Sequence, residues 1–249
     1  MPIGDQPGDH GEEGLVQRLA RCRHLLGDLF GVGIGLNQAL QAAHLPVAKA
    51  ADMKGLKFRT VGLAVDVFTD MGVAVNPLPG GEIVPALDRG LIDAAEFNNA
   101  SSDRVLGFPA VAKNCMLQRF HQCGEQFEVL WKGPKLRALP PELKAVIEYA
   151  TQAASADMSW KAIERNSKDY DELKKQGVKF YKTPDSILRG QLASWDKIMA
   201  KKGGENPMFK KILDSQKAFA QRAVQRQNYY TVDFKRAYNH YFGRAAKKA

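Results

Sequence analysis

Between residues 53 and 97 the chain alternates short apolar segments with helical patterns, and the units are punctuated by glycines at short intervals. "LKFRTVG" reads as a strand ending at Gly62, and "LAVDVFTDMG" as an amphipathic helix stopped by Gly72. "VAVNPLPGG" reads as a strand entering a Pro/Gly loop, "EIVPALDRG" as a short helix ended by Gly90, and "LIDAAEF" as a strand. Alternation over such short connections leaves few topologies. Strands joined through helices run parallel, so the pattern predicts an α/β fold on a parallel sheet. In such sheets ligands collect outside the carboxyl ends of the strands. "EFNNASSD", residues 96–103, lies at one of those ends. Its run of polar side chains is longer than a turn requires, so part of it is expected to face a ligand.

Further along, "FHQCGEQFEVLWKG" reads as a strand in which Phe127, Val129 and Trp131 alternate. Pro140 and Pro141 then open a helical pattern that continues to Gly177, with proline near the first turn and glycine past the end. At more than ~30 residues it exceeds the usual helix length and is long enough to bridge two lobes. "VKFYKTP" reads as a strand, Asp185 as the N-cap of the helix that follows, and residues 206–243 as a further long helix crowded with aromatics near its end. The first 45 residues read differently. "GLVQRLARCRHLLGDLFG" has helical spacing, and "GVGIGLNQALQAAHL" carries a Gly-x-Gly pair without the preceding strand and third glycine of a phosphate cradle. This stretch is set apart as flexible or non-native.

Charge narrows the partners. The net charge is +9, but the basic residues are mixed with acids on helical stretches such as "KDYDELKKQG", which reads as solvated helix surface. Neither zinc-finger spacing nor an RNP pattern is present, so nucleic acid is not expected as a partner. The three cysteines, Cys22, Cys115 and Cys123, are odd in number and irregular in spacing, and read as buried thiols rather than a disulfide framework. No apolar run reaches the ~18 residues of a membrane helix. The acidic, glycine-rich start lacks the basic and apolar regions of a secretory signal, so none is expected in the chain as written.

A few residues carry candidate chemistry. Arg59 sits in an apolar strand, where its planar fork suits either a ligand carboxylate, held bidentately, or a structural salt bridge with a nearby acid. Glu96 follows Ala94 and Ala95 on what reads as an inner strand, and a carboxylate there needs a cation, a metal or donors. With backbone carbonyls and an amide such as that of Gln122 it can hold a hard cation; alternatively it pairs with Arg59 or Arg104. His121 is a catalytic candidate or a packed histidine; no nucleophile elbow accompanies it, and the five histidines lack HExxH spacing. "PLPGGE" at 77–82 lacks the Lys-Ser/Thr of a P-loop and reads as a shaped loop whose amides approach a ligand.

Over residues 46–243 the chain resembles the DctP-like periplasmic solute-binding subunits of TRAP transporters. "DMKGLKFRTVG", "LPGGEIVPALDRGLIDAAEF", "FNNASSDRVLGFPAVAKN" and "FHQCGEQFEVLW" carry the resemblance, and the "FNNASSD" and "HQ" variants resemble the branch that binds small 2-oxo and 2-hydroxy monocarboxylates. The resemblance implies an α/β, two-lobed, periplasmic-binding-protein-like (type II) fold, here with an incomplete N-terminal lobe. It implies residues 46–118 as the second-lobe core, 119–158 as a strand and long helix returning to the first lobe, and 159–249 as second-lobe completion and C-terminal helices, with 1–45 unmatched. It implies no catalysis. Arg59 would grip the substrate carboxylate with Asn98 and Phe97 beside it, and a calcium or sodium ion bridging substrate and protein would be held by Glu96, the Phe97 backbone and Gln122. The partners implied are a small carboxylate, the TRAP membrane permease and a second copy of the chain docked through the C-terminal helix; the location implied is the periplasm. Two other readings stand beside this one: an α/β enzyme acting on a small carboxylate with Glu96 or His121 as base, and a fragment impaired by loss of the first lobe.

Overall fold

A computed structural model describes residues 40–42, 47–121 and 130–243. Gln122, Cys22, Cys123, the Gly-x-Gly pair with the helical pattern before it, and Phe127 and Val129 of the expected strand lie outside the described residues.

Among the described residues six strands form one sheet: β1 (Leu40–Ala42), β2 (Lys57–Arg59), β3 (Ala74–Val75), β4 (Ala94–Glu96), β5 (Asn114–Leu117) and β6 (Lys179–Lys182), in the order β3-β2-β4-β1-β5-β6. β2 runs parallel to β3 and β4, as the alternation predicts, and β5 runs parallel to β6. β1 is antiparallel to both of its neighbours, with Leu40 opposite Glu96 on one side and Met116 on the other. The sheet is therefore mixed. The stretch set apart as flexible or non-native contributes this strand at the centre of the sheet. Leu, Gln and Ala are good helix formers, so local propensity conceals a strand that exists only because two open edges flank it.

The helices are α1 (Leu63–Asp70), α2 (Ile83–Asp88), α3 (Ala100–Leu106), α4 (Phe108–Val111), α5 (Gly133–Arg137), α6 (Pro141–Lys175), α7 (Asp185–Glu205), α8 (Pro207–Tyr230) and α9 (Phe234–Phe242). Successive strand residues point to opposite faces. Ala94 joins Phe58, Ala64, Phe68, Met116 and Ile187 in one core, while Ala95 joins Ile83, Leu87, Ile92 and Phe108 in another. Phe58 and Phe68 meet edge to face, with ring centroids 4.8 Å apart. α7 is tied to α1 through Asp70, which accepts from Ser194 Oγ at 2.6 Å and Lys197 Nζ at 3.0 Å.

Several elements differ from their sequence reading. β5 is an unanticipated strand. The strand read in "VAVNPLPGG" contracts to two residues at the sheet edge. Pro184, not Asp185, holds the N-cap position of α7; Asp185 is its first helical residue and pairs with Arg189 Nε at 2.5 Å. The helix read over 206–243 breaks after Tyr230, because Asp233 caps a new helix by accepting from the Lys235 N–H at 2.9 Å.

The long helix is present as read. α6 has 35 residues, about 50 Å at 1.5 Å per residue. It ends where Gly177 adopts φ +87° and the Val178 N–H reaches back to the Leu173 carbonyl at 3.0 Å, a turn that favours glycine. Only Asp169 and Leu173 of α6 are buried; Leu143, Val146, Tyr149, Trp160 and Ile163 in its earlier turns are exposed. Its last turns are fastened to α3: Arg104 Nε meets Asp169 Oδ1 at 2.7 Å, and the Ser101 N–H donates to Asn166 Oδ1 at 3.2 Å.

Candidate functional site

β2 and β4 are adjacent and parallel, with Arg59 in register beside Ala95, so their carboxyl ends place Arg59, Thr60, Glu96 and Phe97 together. Arg59 is 4% exposed and Glu96 1%. Charged groups this deep survive only when paired. Arg59 Nη1 donates to the Glu96 carbonyl at 2.9 Å and to its Oε1 at 3.2 Å, and Thr60 Oγ1 donates to the same Oε1 at 3.2 Å. Arg59 Nε donates to the Leu78 carbonyl at 2.8 Å. That last bond ties the Pro/Gly loop to the site through a carbonyl, where the sequence suggests approach by amides. Burial pulls the guanidinium below its ordinary pKa, and the Glu96 charge opposes this; the group stays cationic at neutral pH.

Of the two readings of Arg59, this arrangement displays the salt bridge. Nε and Nη1 are engaged within the protein, and Nη2 donates to no described residue. A carboxylate ligand meets the Nη2 end first, and a bidentate grip on Nη1 and Nη2 requires Glu96 to yield.

Phe97 and the loop before α2 shape the space around the guanidinium. The Phe97 ring centroid lies 5.8 Å from Arg59 Cζ, and the ring stacks on Phe108 at 6.3 Å. A Cβ on Gly80 would lie 2.7 Å from Phe97 Cε2, so a side chain at residue 80 would displace the ring from its present place.

The polar string divides its labour. Asn99 is buried and caps α3, its Oδ1 accepting from the Ser102 N–H at 3.0 Å. Asp103 is 2% exposed in the same short helix. Asn98 is half-buried, and its Oδ1 accepts from Asn99 Nδ2 at 2.7 Å. Much of the string therefore serves the helix start, and Asn98 stands nearest to the Arg59 group in sequence.

His121 is packed rather than poised. It is 7% exposed, with its ring edge to face with Phe68 at 4.8 Å. Burial and then the neighbouring Arg119 hold its pKa well below the ordinary value, with Gln191 opposing. Cys115 is a free, buried thiol whose pKa is pushed far up by burial and by Asp103, the chemistry of a packed residue.

Thr60 was not singled out in the sequence, although it directly follows Arg59 in "KFRT". Its hydroxyl helps hold Glu96 in place. Among the described residues no three or more His, Cys, Asp or Glu side chains gather as a metal cluster. The donors at this site are the Glu96 carboxylate and nearby backbone carbonyls, oxygen chemistry that fits a hard cation such as calcium or sodium. Among the described residues no helix is long and apolar enough to cross a membrane.

Residues 32–202 match the model of DctP, the bacterial extracellular solute-binding protein family 7. The match begins upstream of β1, in line with the strand's place in the sheet. The chain is 32% identical over 174 residues to the monocarboxylate 2-oxoacid-binding periplasmic protein of Nostoc sp. (strain PCC 7120), covering 70% of this chain and 48% of that protein. The chain thus spans about half the length of this curated relative. Among solved structures it is similar to a TRAP periplasmic solute-binding protein from Colwellia psychrerythraea with bound calcium and pyruvate, with a TM-score of 0.77 and 24% identity over 93% of this chain and 70% of that one. A TRAP solute-binding protein from Bordetella bronchiseptica RB50, a mixed-occupancy dimer with calcium and picolinate, matches with a TM-score of 0.74 and 23% identity over 96% of this chain and 70% of that one. One from Pseudoalteromonas atlantica with sodium and pyruvate matches with a TM-score of 0.65 and 22% identity over 87% and 62%. At these identities the solved structures speak for the fold, an incomplete version of the two-lobed α/β architecture. The protein belongs to the DctP family, family 7 of the bacterial extracellular solute-binding proteins.

Proposed function

We propose that this protein is the solute-binding subunit of a TRAP transporter, working outside the cytoplasm to capture a small 2-oxo or 2-hydroxy monocarboxylate for a membrane permease. The observation that carries this reading is a buried arginine at a strand end, Arg59, with one guanidinium nitrogen uncommitted among the described residues and an acid beside it. A fixed cation in a desolvated site suits a ligand carboxylate. Support comes from the 2-oxoacid-binding relative and from structural neighbours that hold pyruvate with calcium or sodium.

In this reading Arg59 binds the solute carboxylate, and Asn98 and the Phe97 ring flank it. Glu96, the Phe97 carbonyl and Gln122 hold a calcium or sodium ion, which supplies positive charge to the solute's oxygens. The exposed apolar side chains on the early turns of α6 are where the rest of the first lobe packs. The aromatics of α8 and α9, among them Tyr229, Tyr230, Phe234, Tyr238, Tyr241 and Phe242, are exposed and in this reading meet a second copy of the chain; the Bordetella neighbour is a dimer. Calorimetric titration with pyruvate and its 2-hydroxy analogue, calcium present, tests the proposal: saturable binding supports it, and heats no larger than dilution for both acids overturn it.

The enzyme reading finds no support. Its candidate bases are engaged in other ways, Glu96 by Arg59 and Thr60 and His121 by packing on Phe68, and the relatives are binding proteins.

A further inference from the structure

The group proposed to take the solute anion and the group proposed to take the cation are bonded to each other. Arg59 Nη1 and Glu96 Oε1 stand 3.2 Å apart, with side-chain exposures of 5% and 2%. Each is therefore the internal competitor for the other's ligand. A carboxylate that draws Arg59 away removes from the buried Glu96 charge the cation it is paired with here. A cation that draws Glu96 away leaves Arg59 buried without its anion. Either event alone strands a charge in a poorly solvated place, which is strongly unfavourable. When both ligands arrive, every charge has a new partner and nothing is stranded.

From this geometry we infer that the Arg59–Glu96 pair is an exchange latch, which makes solute and cation bind cooperatively and keeps the site closed to either one alone. The inference rests on the function proposed above and adds its regulation. Thr60, donating to the same Glu96 oxygen, holds the latch in its closed form without carrying charge. The Nε bond to the Leu78 carbonyl keeps the guanidinium in place while Glu96 lets go.

The test uses the full chain in a potassium buffer free of sodium, with pyruvate and calcium as probes. Calorimetry measures the pyruvate affinity with chelator and with saturating calcium, and the calcium affinity with and without pyruvate. The latch predicts that each ligand strengthens the other by the same factor, on the order of 5- to 150-fold. It makes a sharper prediction for Glu96→Gln. Freed of its competitor, Arg59 in this variant binds pyruvate in chelator more tightly than the wild-type protein does, and calcium has no further effect. A mere cation ligand at position 96 has no reason to give that gain. If wild-type protein binds pyruvate in calcium but Glu96→Gln shows no gain in chelator, the latch is overturned and the binding function stands. Should Glu96→Gln fail to fold, the reciprocal wild-type titrations decide: a calcium affinity indifferent to pyruvate overturns the latch. Wild-type protein that binds no 2-oxo or 2-hydroxy acid under any of these conditions overturns the functional reading itself.

Discussion

The Arg59 guanidinium donates through Nε to the carbonyl of Leu78 at 2.8 Å, so the strand that carries the arginine and the loop that precedes α2 share one bond at the centre of the site. The remaining strong contact of Arg59 is to Glu96. Removing this one side chain therefore releases a loop carbonyl and a buried carboxylate together. Arg59→Ala is expected to lose solute binding and also about 3–5 kcal/mol of stability, the usual cost of breaking a buried ion pair from one side. Arg59→Lys keeps the charge but cannot make the Nε and Nη1 bonds at once, so it binds poorly and loses less stability. Urea melts of the two variants check this; equal stability of Arg59→Ala and wild type would show that the pair is not buried as described.

Gly80→Ala probes the fit between the loop and Phe97. The added Cβ falls 2.7 Å from Phe97 Cε2, so the ring must swing. Because the clashing atoms lie at the far end of a side chain, the stability loss is expected to be small, below about 1 kcal/mol, less than a core overpacked against backbone. The pyruvate affinity is expected to fall, since Phe97 leaves its place beside Arg59. Unchanged affinity and melting temperature together would remove Phe97 from the binding role.

His121 makes stability depend on pH. Its folded pKa is depressed by burial and Arg119, so below the ordinary value of about 6.5 the unfolded chain takes up a proton that the folded chain refuses. The contribution is fully present above pH of about 6.5 and is lost progressively as pH falls below it. Denaturant midpoints measured from pH 8 to 5 are expected to decline, and to decline less in His121→Gln. A pH profile identical in wild type and variant would place His121 in a solvated position.

The α6–α3 fastening gives a fourth prediction. Asn166→Ala leaves the Ser101 N–H, half-buried at the start of α3, without its side-chain acceptor, at an expected loss of about 1 kcal/mol. Asn166→Asp retains an acceptor and is expected to restore most of it. Thermal melts distinguish the two, and an Asn166→Ala protein as stable as wild type contradicts the contact.

The alternation that ends in "LIDAAEF" was legible because the helices between residues 53 and 97 carry their own apolar period and end at glycines, Gly72 and Gly90. Phe58, Phe68, Ile83 and Leu87 are buried as that period requires. The strand Leu40–Ala42 was not legible, since its residues favour helix and only the flanking strands determine its state. The two-residue edge strand at Ala74–Val75 shows the reverse, a β-rich pattern with a partner on one side only. At the site, Arg59 and Glu96 stood out because charge in an apolar strand is anomalous. Their engagement with each other was one of two open readings, since nothing local decides between an internal partner and an external one. Thr60 and Asn166 escaped notice because their roles depend on contacts 36 and 65 residues away along the chain, which leave no local pattern.

The account turns on Arg59 as the anchor for a small carboxylate, and one titration addresses it most directly. Pyruvate is titrated calorimetrically into wild-type protein and into Arg59→Lys, both in saturating calcium and both shown to be folded by circular dichroism. The account predicts saturable binding to wild type and at least a tenfold weaker response from the lysine variant, on the order of 1.4 kcal/mol or more. Equal pyruvate affinity in the two folded proteins would contradict it.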